Sequence, residues 1–382
     1  MSVVHVVSAG EVGGAERMLV DLAAPRATAT RAHSVALFTP SDALRALFRD
    51  AGLDVDDRGP VREGPLPYLA SALGPGDVRW LSGVLERRRA TVVHLHTFAS
   101  QVLGTRAARR AGARVVRTEH STRVYDDPSC WPFSRWSLRR ADAVVFISEH
   151  VRAVATARAG RLLAEGAKTS LVYNGVDTAR FAPRARGPAP ASDERRPVRF
   201  VALGRLDRRK GLDLALRALA EVPDAELDVV GAGDERASLE ALAGRLGLST
   251  RVRFAGHAGD VRDAIAASDL ALSSARQEGL GVALLEAMAM ERAVVALPTG
   301  GIPEIVRDGA TGWLAAERSP EALARAMRSA IAAGAAERRR RGGAARARVV
   351  ETFSLDAMRA GYEAVYARLE RLVAERGASS PP

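Results

Sequence analysis

The chain has 382 residues, of which 47% are hydrophobic, so it is long enough for two domains with buried cores. No apolar run reaches the ~18 residues that a membrane span needs, and the start lacks the features of a signal peptide. The single cysteine, Cys130, excludes an intramolecular disulfide. We therefore expect a cytoplasmic protein. The net charge of +11 comes almost entirely from arginine in an alanine-rich chain, which indicates codon bias; we expect no nucleic-acid partner and leave open a peripheral membrane contact through the basic N-terminal domain.

Short apolar runs alternate with helical patterns along the whole chain. They are VVHVVS, SVALFT, TVVHLH, ARVVRT, DAVVFIS and SLVYN, followed by RFVALG, AELDVVG, RVRFAG, DLALS and AVVAL. Apolar strands that alternate with helices are typical of parallel sheets covered on both faces. Eleven such strands exceed what one doubly wound sheet usually holds, so we predict an α/β protein of two Rossmann-like domains with a cleft between them.

The expected domain limits follow from composition. A Pro-rich, charged run at 183–197 separates the two sets of strands and is interpreted as a linker. The domains are therefore expected at 1–182 and 198–354. The remaining segment, 355–382, begins with a helix whose one apolar stripe must pack against something; the stripe consists of Met358, Tyr362, Val365 and Leu369.

Some residues of the first domain could carry chemistry. Gly13 and Gly14 form a strand-to-helix turn whose amides could approach an anion, although such a pair is more often a simple turn. His120 directly follows a buried strand, and open parallel sheets bind ligands beyond the carboxyl ends of their strands. His94 and His96 face the same side of one strand, but no third ligand at a suitable spacing is visible, so we predict no metal site.

Asp54-Val55-Asp56 has the pattern of a short acidic motif that binds metal–nucleotide complexes. It lies in a polar segment of the first domain, far from any predicted nucleotide loop. We interpret it as a solvated turn.

The second domain opens with a strand that ends at Gly204 and a polar loop that contains Arg205 and Lys210. The planar fork of an arginine and the compact charge of a lysine together suit two linked phosphates. Lys210 is one of two lysines in the chain, so its presence here indicates a specific requirement unless it falls there by chance. Gly231-Ala232-Gly233 lacks the third glycine of a dinucleotide fingerprint, where Arg236 stands, and is interpreted as a tight turn beside a ligand.

The segment from Ser274 to Val306 places two carboxylates around a helix N-terminus. Glu278 lies in a polar loop, and the helix that follows is apolar on nearly every face except at Glu286. A helix that is apolar all round is buried, and a glutamate is seldom buried without a partner. The unpaired amides and positive dipole end of such a helix suit a phosphate, although a packed helix with one ion-paired glutamate would show the same pattern.

Taken together, these stretches resemble the family 4, group 1 glycosyltransferases, which are retaining enzymes with the GT-B fold. The resemblance covers nearly the whole chain, in the order GGAER, TEHS, FISEHVR, VYNGVDTARF, GRLDRRKG, VGAGDE, QEGLGVALLEAMAM and GGIPEIVRDGATGWL. One departure is Met290-Glu291-Arg292, where the family usually has a small turn with a glycine. The resemblance implies two domains that face each other across a deep cleft and a C-terminal helix that returns to the N-terminal domain.

The same resemblance implies how the phosphates of a donor would be bound. Arg205 and Lys210 match the pair that holds the donor's diphosphate. The amides around Gly281 and Val282, with the Gly13-Gly14 turn, would complete the phosphate cradle.

It also implies two catalytic residues. Glu278 matches the glutamate that contacts hydroxyls of the donor sugar, and Glu286 matches the one that binds the ribose of the nucleotide. His120 matches a histidine near the reacting sugar. Glu278 and His120 are therefore the expected catalytic residues.

We accordingly expect an enzyme that moves a hexosyl or N-acetylhexosaminyl group from a nucleotide-diphosphate sugar, with UDP as the first choice. The acceptor would be a hydroxyl of a glycan, a lipid-linked sugar or a small molecule, and the anomeric configuration would be retained. No metal or other cofactor is expected, because the phosphate cradle is already cationic. Two alternatives stay open: a GT-B epimerase or phosphorylase that uses the same donor, and a non-enzymatic module that binds an anionic polymer or a membrane.

Overall fold

A computed structural model of the chain describes residues 2–27, 29–59, 65–164, 169–183 and 196–378. The chain divides into two compact units. The first contains Met1–Tyr173 and Met358–Pro382, and the second contains Asn174–Ala357.

The first unit is built on a seven-stranded sheet in which each strand runs parallel to its neighbours. The strand order is β3-β2-β1-β4-β5-β6-β7, with β1 (Ser2–Ser8), β2 (Ala32–Phe38), β3 (Asp54–Asp57), β4 (Ala90–Leu95), β5 (Arg114–Glu119), β6 (Ala143–Phe146) and β7 (Thr169–Leu171). The central strands are buried along most of their length, as expected when helices cover both faces of a parallel sheet.

Nine helices connect or cover these strands in the described part of the first unit. They are α1 (Gly14–Ala23), α2 (Asp42–Asp50), α3 (Pro65–Leu73), α4 (Pro75–Arg87), α5 (Phe98–Ala111), α6 (Arg123–Asp126), α7 (Trp131–Leu138), α8 (Glu149–Ala164) and, from the end of the chain, α16 (Leu355–Ala378). Among all residues that the structure describes, none of the helices combines the length and apolarity that crossing a bilayer demands.

The second unit has a six-stranded parallel sheet of closely related order. The order is β10-β9-β8-β11-β12-β13, with β8 (Val198–Leu203), β9 (Ala225–Val230), β10 (Val252–Gly256), β11 (Leu270–Ser273), β12 (Ala293–Ala296) and β13 (Gly312–Leu314). Its helices are α9 (Leu212–Ala220), α10 (Arg236–Arg245), α11 (Arg262–Ala267), α12 (Val282–Ala289), α13 (Ile302–Ile305), α14 (Pro320–Ala332) and α15 (Gly334–Thr352). Both sheets therefore have the Rossmann order, which reverses between the first strand and the fourth.

All eleven predicted strands are confirmed, and two further strands, β3 and β13, were missed. The interpretation of Asp54-Val55-Asp56 as a turn was wrong, because these residues form the edge strand β3 beside β2. Asp54 and Asp56 both pair with Arg88, and Asp56 Oδ2 lies 2.8 Å from the Arg88 Nε. Charged residues are a common way to protect the edge of a sheet from further pairing.

The first unit ends at Tyr173 rather than at the expected residue 182. The segment that follows belongs to the second unit because it pairs with the end of α15. The amide of Val176 donates to the Phe353 carbonyl at 2.8 Å, and the Leu355 amide donates to the Val176 carbonyl at 3.1 Å. Of the expected linker at 183–197, residues 184–195 lie outside the described part of the chain.

The C-terminal helix α16 packs on the first unit, as the family resemblance implied. All four residues of its expected apolar stripe are buried, and they are Met358, Tyr362, Val365 and Leu369. Tyr362 and Tyr366 are fully buried and make hydrogen bonds to Thr118 (3.1 Å) and His94 (2.8 Å). The helix therefore supplies part of the core of the first sheet.

Candidate active site

The second unit has a cleft at the carboxyl ends of β8 and β11, where the strand order reverses. Open α/β sheets bind ligands at such a switch point. Four of the predicted site residues line this cleft. They are Arg205, Lys210, Glu278 and Gly281, and the other lining residues are Ala202, Leu203, Gly204, Leu212, Leu272, Ser273, Ser274, Ala283 and Leu284.

The loop that carries Lys210 is anchored on two sides. Asp207 Oδ1 accepts hydrogen bonds from the backbone amides of Arg209 (2.9 Å) and Lys210 (3.3 Å). On the other side, the amide of Arg276 donates to the Arg209 carbonyl at 2.7 Å, and Ser274 Oγ donates to the Lys210 carbonyl at 3.2 Å. The lysine therefore stands on a backbone that is held in place before any ligand binds.

Lys210 and Glu278 form an ion pair within the cleft. The lysine Nζ lies 2.7 Å from Glu278 Oε2, and the two side chains are 30% and 17% exposed. An ammonium group has three donors, so Lys210 can keep this contact and still donate to an anionic ligand. The residue predicted to hold the diphosphate thus touches the residue predicted to hold the sugar.

Two glycines position Glu278 and the start of α12. Gly281 precedes the helix with φ 107°, a conformation that side chains rarely adopt. Gly300 has φ 57°, and a Cβ there would lie 1.8 Å from the Glu278 carbonyl oxygen. The amide of Gly301 donates to the same oxygen at 3.2 Å. Gly300 and Gly301 belong to the GGIPEIV stretch, whose part in holding Glu278 is not visible in the sequence.

Gly231 and Gly233 support the loop after β8. A Cβ on Gly231 would lie 1.8 Å from the Gly204 carbonyl oxygen, and one on Gly233 would lie 2.4 Å from that of Leu206. The tight turn predicted here therefore exists because two backbone segments meet too closely for side chains. It packs against both neighbours of Arg205.

Helix α12 is not buried on every face, so the expectation of a helix buried all round was wrong. Val282, Ala283 and Glu286 are only half-buried, whereas the remaining residues of the helix are buried. These three positions lie on one side, since Glu286 follows Val282 by about one helical turn. Val282 and Glu286 are not among the residues that line the cleft itself.

In the first unit, the Gly13-Gly14 turn already has an anionic partner. The amide of Gly13 donates to Glu16 Oε2 at 2.9 Å, and Glu16 is buried to 7% exposure. A phosphate at the Gly13 amide would have to displace this carboxylate. Gly14 is open, because a Cβ there would meet no atom within 4 Å from the described residues beyond its chain neighbours and its own helix.

His120 follows β5 directly and is half-buried. Its Nε2 lies 3.4 Å from His96 Nδ1. Burial lowers the pKa of His120 to about 4, so the ring is neutral at physiological pH. A neutral imidazole offers one hydrogen-bond donor and one acceptor.

His5 supplies the third imidazole that the sequence did not reveal beside His94 and His96. One ring nitrogen from each of the three lies within 4.8 Å of the others, a spacing at which a metal ion could be held. Both nitrogens of His94 already bond, to Tyr366 Oη at 2.8 Å and to Thr118 Oγ1 at 2.7 Å. His5 was missed because β1 neighbours β4 only in the folded sheet.

A buried ion pair lies on β5 just before His120. Arg117 Nη2 lies 2.6 Å from Glu119 Oε1, and the two side chains are 1% and 2% exposed. Arg117 also donates to the carbonyl (2.8 Å) and to the Oγ (3.0 Å) of Ser134 on α7. The pair therefore fastens α7 to the strand that delivers His120.

Two family models match the chain: "Glycosyltransferase Family 4" over residues 12–180 and "Glycosyl transferases group 1" over residues 189–348. The GDP-mannose-dependent alpha-(1-6)-phosphatidylinositol monomannoside mannosyltransferase of Mycobacterium tuberculosis is 31% identical over 82% of this chain and 86% of its own length. The chain belongs to the family 4, group 1 glycosyltransferases. The enzyme of the same name from Mycolicibacterium smegmatis is 36% identical to this glycosyltransferase over 59% of the chain. The match covers 63% of that relative, which is less than two thirds of its length.

The fold of this glycosyltransferase is GT-B, as predicted. HepE from Anabaena, solved in complex with UDP, matches it with a TM-score of 0.78 at 22% identity over 100% of both chains. Sucrose-phosphate synthase from Thermosynechococcus elongatus matches with a TM-score of 0.77 at 22% identity over 99% of this chain and 100% of its own. At such identities the likeness shows the fold alone.

Proposed function

We propose that this glycosyltransferase moves a hexosyl or N-acetylhexosaminyl group from a nucleotide-diphosphate sugar to an acceptor hydroxyl, with retention of the anomeric configuration. The observation that supports this best is the cleft in which Arg205, Lys210 and Glu278 meet the N-terminus of α12. Negative charge grows on the diphosphate as it leaves, and cations held in place beforehand lower the activation barrier to its departure. The first amides of α12, around Gly281 and Val282, would add donors to the phosphates.

The proposed roles divide the donor between the carboxylates. Glu278 would accept hydrogen bonds from hydroxyls of the sugar, since it lies beside Lys210 in the cleft. Glu286, one turn along the open side of α12, would accept both hydroxyls of the ribose. His120 would contact the reacting sugar, and the Gly13-Gly14 turn would approach the phosphates through Gly14, whose surroundings are open.

Retention of configuration is what the family resemblance implies, and the roles proposed for the two carboxylates agree with it. A double displacement needs a carboxylate nucleophile with a second carboxyl ~5–5.5 Å away, whereas Glu278 and Glu286 are assigned to the sugar hydroxyls and the ribose. A departing phosphate oxygen would instead take the proton of the acceptor hydroxyl on the same face. Proton NMR of the first glycoside formed tests this, and an inverted anomer or a trapped glycosyl–enzyme would overturn it. A product without a new glycosidic bond would favour an epimerase.

The nucleobase is proposed to be uracil. The HepE structures hold UDP and UDP-glucose, whereas the names of the mycobacterial relatives specify GDP-mannose. A thermal-shift panel with UDP, GDP, ADP and TDP separates these cases, and we expect UDP to raise the Tm most. A larger shift with GDP would instead favour a GDP-sugar.

We also propose that transfer needs no bound metal or other cofactor. The loop after β8 brings Arg205 and Lys210 to the place proposed for the diphosphate, and such cations can neutralise it directly. Activity should therefore survive EDTA. Complete loss with EDTA, restored by Mg²⁺ or Mn²⁺, would show that a metal ion neutralises the diphosphate.

The acceptor is proposed to be a lipid-linked or other glycan met at a membrane surface. In the first unit, α7 carries half-buried Trp131 and Trp136, and Arg135 and Arg139 beside them are exposed. Amphipathic rings with arginines are typical of segments that lie in an anionic membrane interface. Sedimentation with phosphatidylglycerol vesicles should exceed that with phosphatidylcholine vesicles, and Arg135→Ala should reduce it; equal sedimentation would contradict the contact. The cytoplasmic location and the lack of a nucleic-acid partner stay predictions.

A further inference from the structure

Four imidazoles form a continuous chain across the sheet of the first unit. His33 lies on β2, His5 on β1, His96 just after β4 and His120 just after β5, and these strands are consecutive neighbours in the sheet. His33 Nδ1 lies 2.8 Å from His5 Nε2, His5 Nδ1 lies 2.9 Å from His96 Nε2, and His96 Nδ1 lies 3.4 Å from His120 Nε2. The chain thus links His120 to a ring at the far side of the sheet.

The proton positions along this chain are coupled. Burial lowers the pKa of all four rings, for His33 and His120 to about 4, so each ring is neutral near pH 7. A neutral ring has one N–H and one lone pair, and each contact between two rings requires one of each. Because His5 and His96 use both of their nitrogens, the direction of one hydrogen bond determines the direction of the other two.

The end of the chain at His33 decides which direction is favoured. His33 Nε2 is buried and has no hydrogen-bond partner among the residues that the structure describes. If His5 donated to His33, this nitrogen would carry a buried, unpaired N–H, which is rarer in proteins than an unpaired acceptor. The positive charges of Arg26 and Arg31 also disfavour a second proton on His33, so the ring stays neutral with one N–H. His33 Nδ1–H therefore donates to His5, His5 to His96, and His96 to His120 Nε2.

We propose that His33, His5 and His96 are positioning residues that hold His120 as its Nδ1–H tautomer, so that His120 offers the donor sugar a hydrogen-bond donor and not a base. The assignment of His120 to the sugar rests on the proposed function. The tautomer itself rests only on the hydrogen bonds of the first unit. His94 stands outside the chain, because its two nitrogens face Tyr366 and Thr118.

Two substitutions at His33 form a matched pair. The Oδ or Nδ of a shorter side chain falls near the place of His33 Nδ1. His33→Asn can still donate to His5 Nε2 through its side-chain amide, so it should keep the Nδ1–H tautomer of His120. His33→Asp can only accept once ionised. It should reverse every hydrogen bond of the chain and convert His120 to the Nε2–H form.

The experiment is NMR of the full chain with isotope-labelled histidine, because ring nitrogens that carry a proton differ in chemical shift from those that do not. The chain has 7 histidines, so single His→Gln variants assign each ring. We expect His120 Nδ1 to be protonated in the unmodified protein and in His33→Asn, and Nε2 to be protonated in His33→Asp. For the sugar-nucleotide reaction, His33→Asp should lower kcat about tenfold with little change in the KM of the donor. The His33→Asn variant should instead keep the kcat of the unmodified protein.

Several outcomes would overturn the inference. One is a protonated Nε2 on His120 in the unmodified protein, a measurement that holds even if His33→Asp fails to fold. Another is a His120 tautomer that ignores His33→Asp in a folded variant. A third is uptake of Zn²⁺ alone with loss of the ring N–H signals of His5, His94 and His96. Conversely, an Nδ1–H tautomer in a protein that transfers no sugar would leave the chain intact and reject the proposed function.

Discussion

Lys210 Nζ lies 2.7 Å from Glu278 Oε2, although 68 positions separate the two residues. The contact joins the loop after β8 to the loop before α12, and so joins the proposed diphosphate site to the proposed sugar site. Removal of either side chain leaves the other without its ionic partner in a cleft that is largely buried. Substitutions at the proposed diphosphate site and at the proposed sugar site should therefore not be independent in their effects on donor binding.

Arg205→Ala and Lys210→Ala should each weaken nucleotide-diphosphate binding by about 1.5–3 kcal/mol, the value of a hydrogen bond to a charged group. Isothermal calorimetry with UDP and GDP measures this. Arg325→Ala is a suitable control, because Arg325 is 56% exposed on α14 and its ionic partner is Glu317, itself 65% exposed, at 3.3 Å. Unchanged affinity in both cleft variants would reject the diphosphate assignment.

Glu278→Gln and Glu286→Gln should differ in what they impair. Glu278→Gln should lower turnover and leave the affinity for free nucleotide unchanged or slightly higher, because Lys210 loses a competing carboxylate. Glu286→Gln should weaken the binding of both the free nucleotide and the sugar donor. Calorimetry beside steady-state kinetics distinguishes the two, and the opposite pattern would exchange the roles.

The first unit should lose stability in mild acid. Burial lowers the pKa of His5, His33, His94, His96 and His120, and for His33 and His120 to about 4 from 6.5. The unfolded chain binds protons at a higher pH than the folded one, so the stabilisation is complete above 6.5 and declines toward about 4.

Hydrogen-exchange mass spectrometry, which follows each unit separately, checks this acid effect. Protection of the first unit should fall between pH 6.5 and about 4, and His33→Phe should flatten that dependence. His257→Gln, at an exposed position of the second unit, should leave it unchanged. Protection that is constant across the interval would contradict the prediction.

Arg117→Met should destabilise the first unit by about 3–5 kcal/mol, because it leaves Glu119 charged and buried without its partner. The double variant Arg117→Met with Glu119→Leu should recover much of that loss. Urea unfolding measures both. A double variant no more stable than the single one would mean that the contacts of Arg117 with Ser134, and not the charge of Glu119, set the cost.

Glu291→Gly should stabilise the second unit. Glu291 adopts φ 59° at the end of α12, at the turn where the family usually has a glycine. The left-handed conformation costs a residue with a side chain about 1–2 kcal/mol, and the entropy of a glycine offsets roughly half of that, so we expect a gain of about 0.5–1 kcal/mol. Thermal unfolding tests it. Glu291→Ala should give no such gain, and a lower Tm for the glycine variant would refute the explanation.

The strands that could be predicted are those whose own sequence is an apolar run, which indicates burial. Runs such as AVVAL are apolar throughout because helices cover both faces of the sheet. The edge strand β3 consists of Asp54-Val55-Asp56-Asp57, and β13 has only three residues, Gly312–Leu314. β3 has no apolar run because it is acidic and none of its residues is fully buried, whereas β13 was missed because three residues, although Gly312 and Trp313 are buried, are too few to indicate a strand.

The candidate site was predictable to the extent that family motifs name its residues. Arg205, Lys210, Glu278 and Gly281 were named from the sequence, and they line one cleft. Contacts that depend on strand order were not predictable, because residues far apart in the chain meet only through the fold. His5 and His96 are 91 positions apart and lie 2.9 Å from each other at their ring nitrogens. The amides of the Gly13-Gly14 turn were likewise expected to be able to approach an anion, and only the folded α1 shows that Glu16 occupies the Gly13 amide.

Because α16 belongs to the first unit, that unit is complete only after the ribosome has also made the whole second unit. Residues 174–357, a stretch of 184 residues, intervene. At ordinary rates of synthesis this takes roughly 10–40 s. During that interval His94 and Thr118 lack their hydrogen bonds to Tyr366 and Tyr362. The nascent chain therefore exposes a face of the sheet that α16 later covers, and chaperones can bind it there. The first unit, although it begins the chain, therefore cannot complete its core before the second unit has been synthesised.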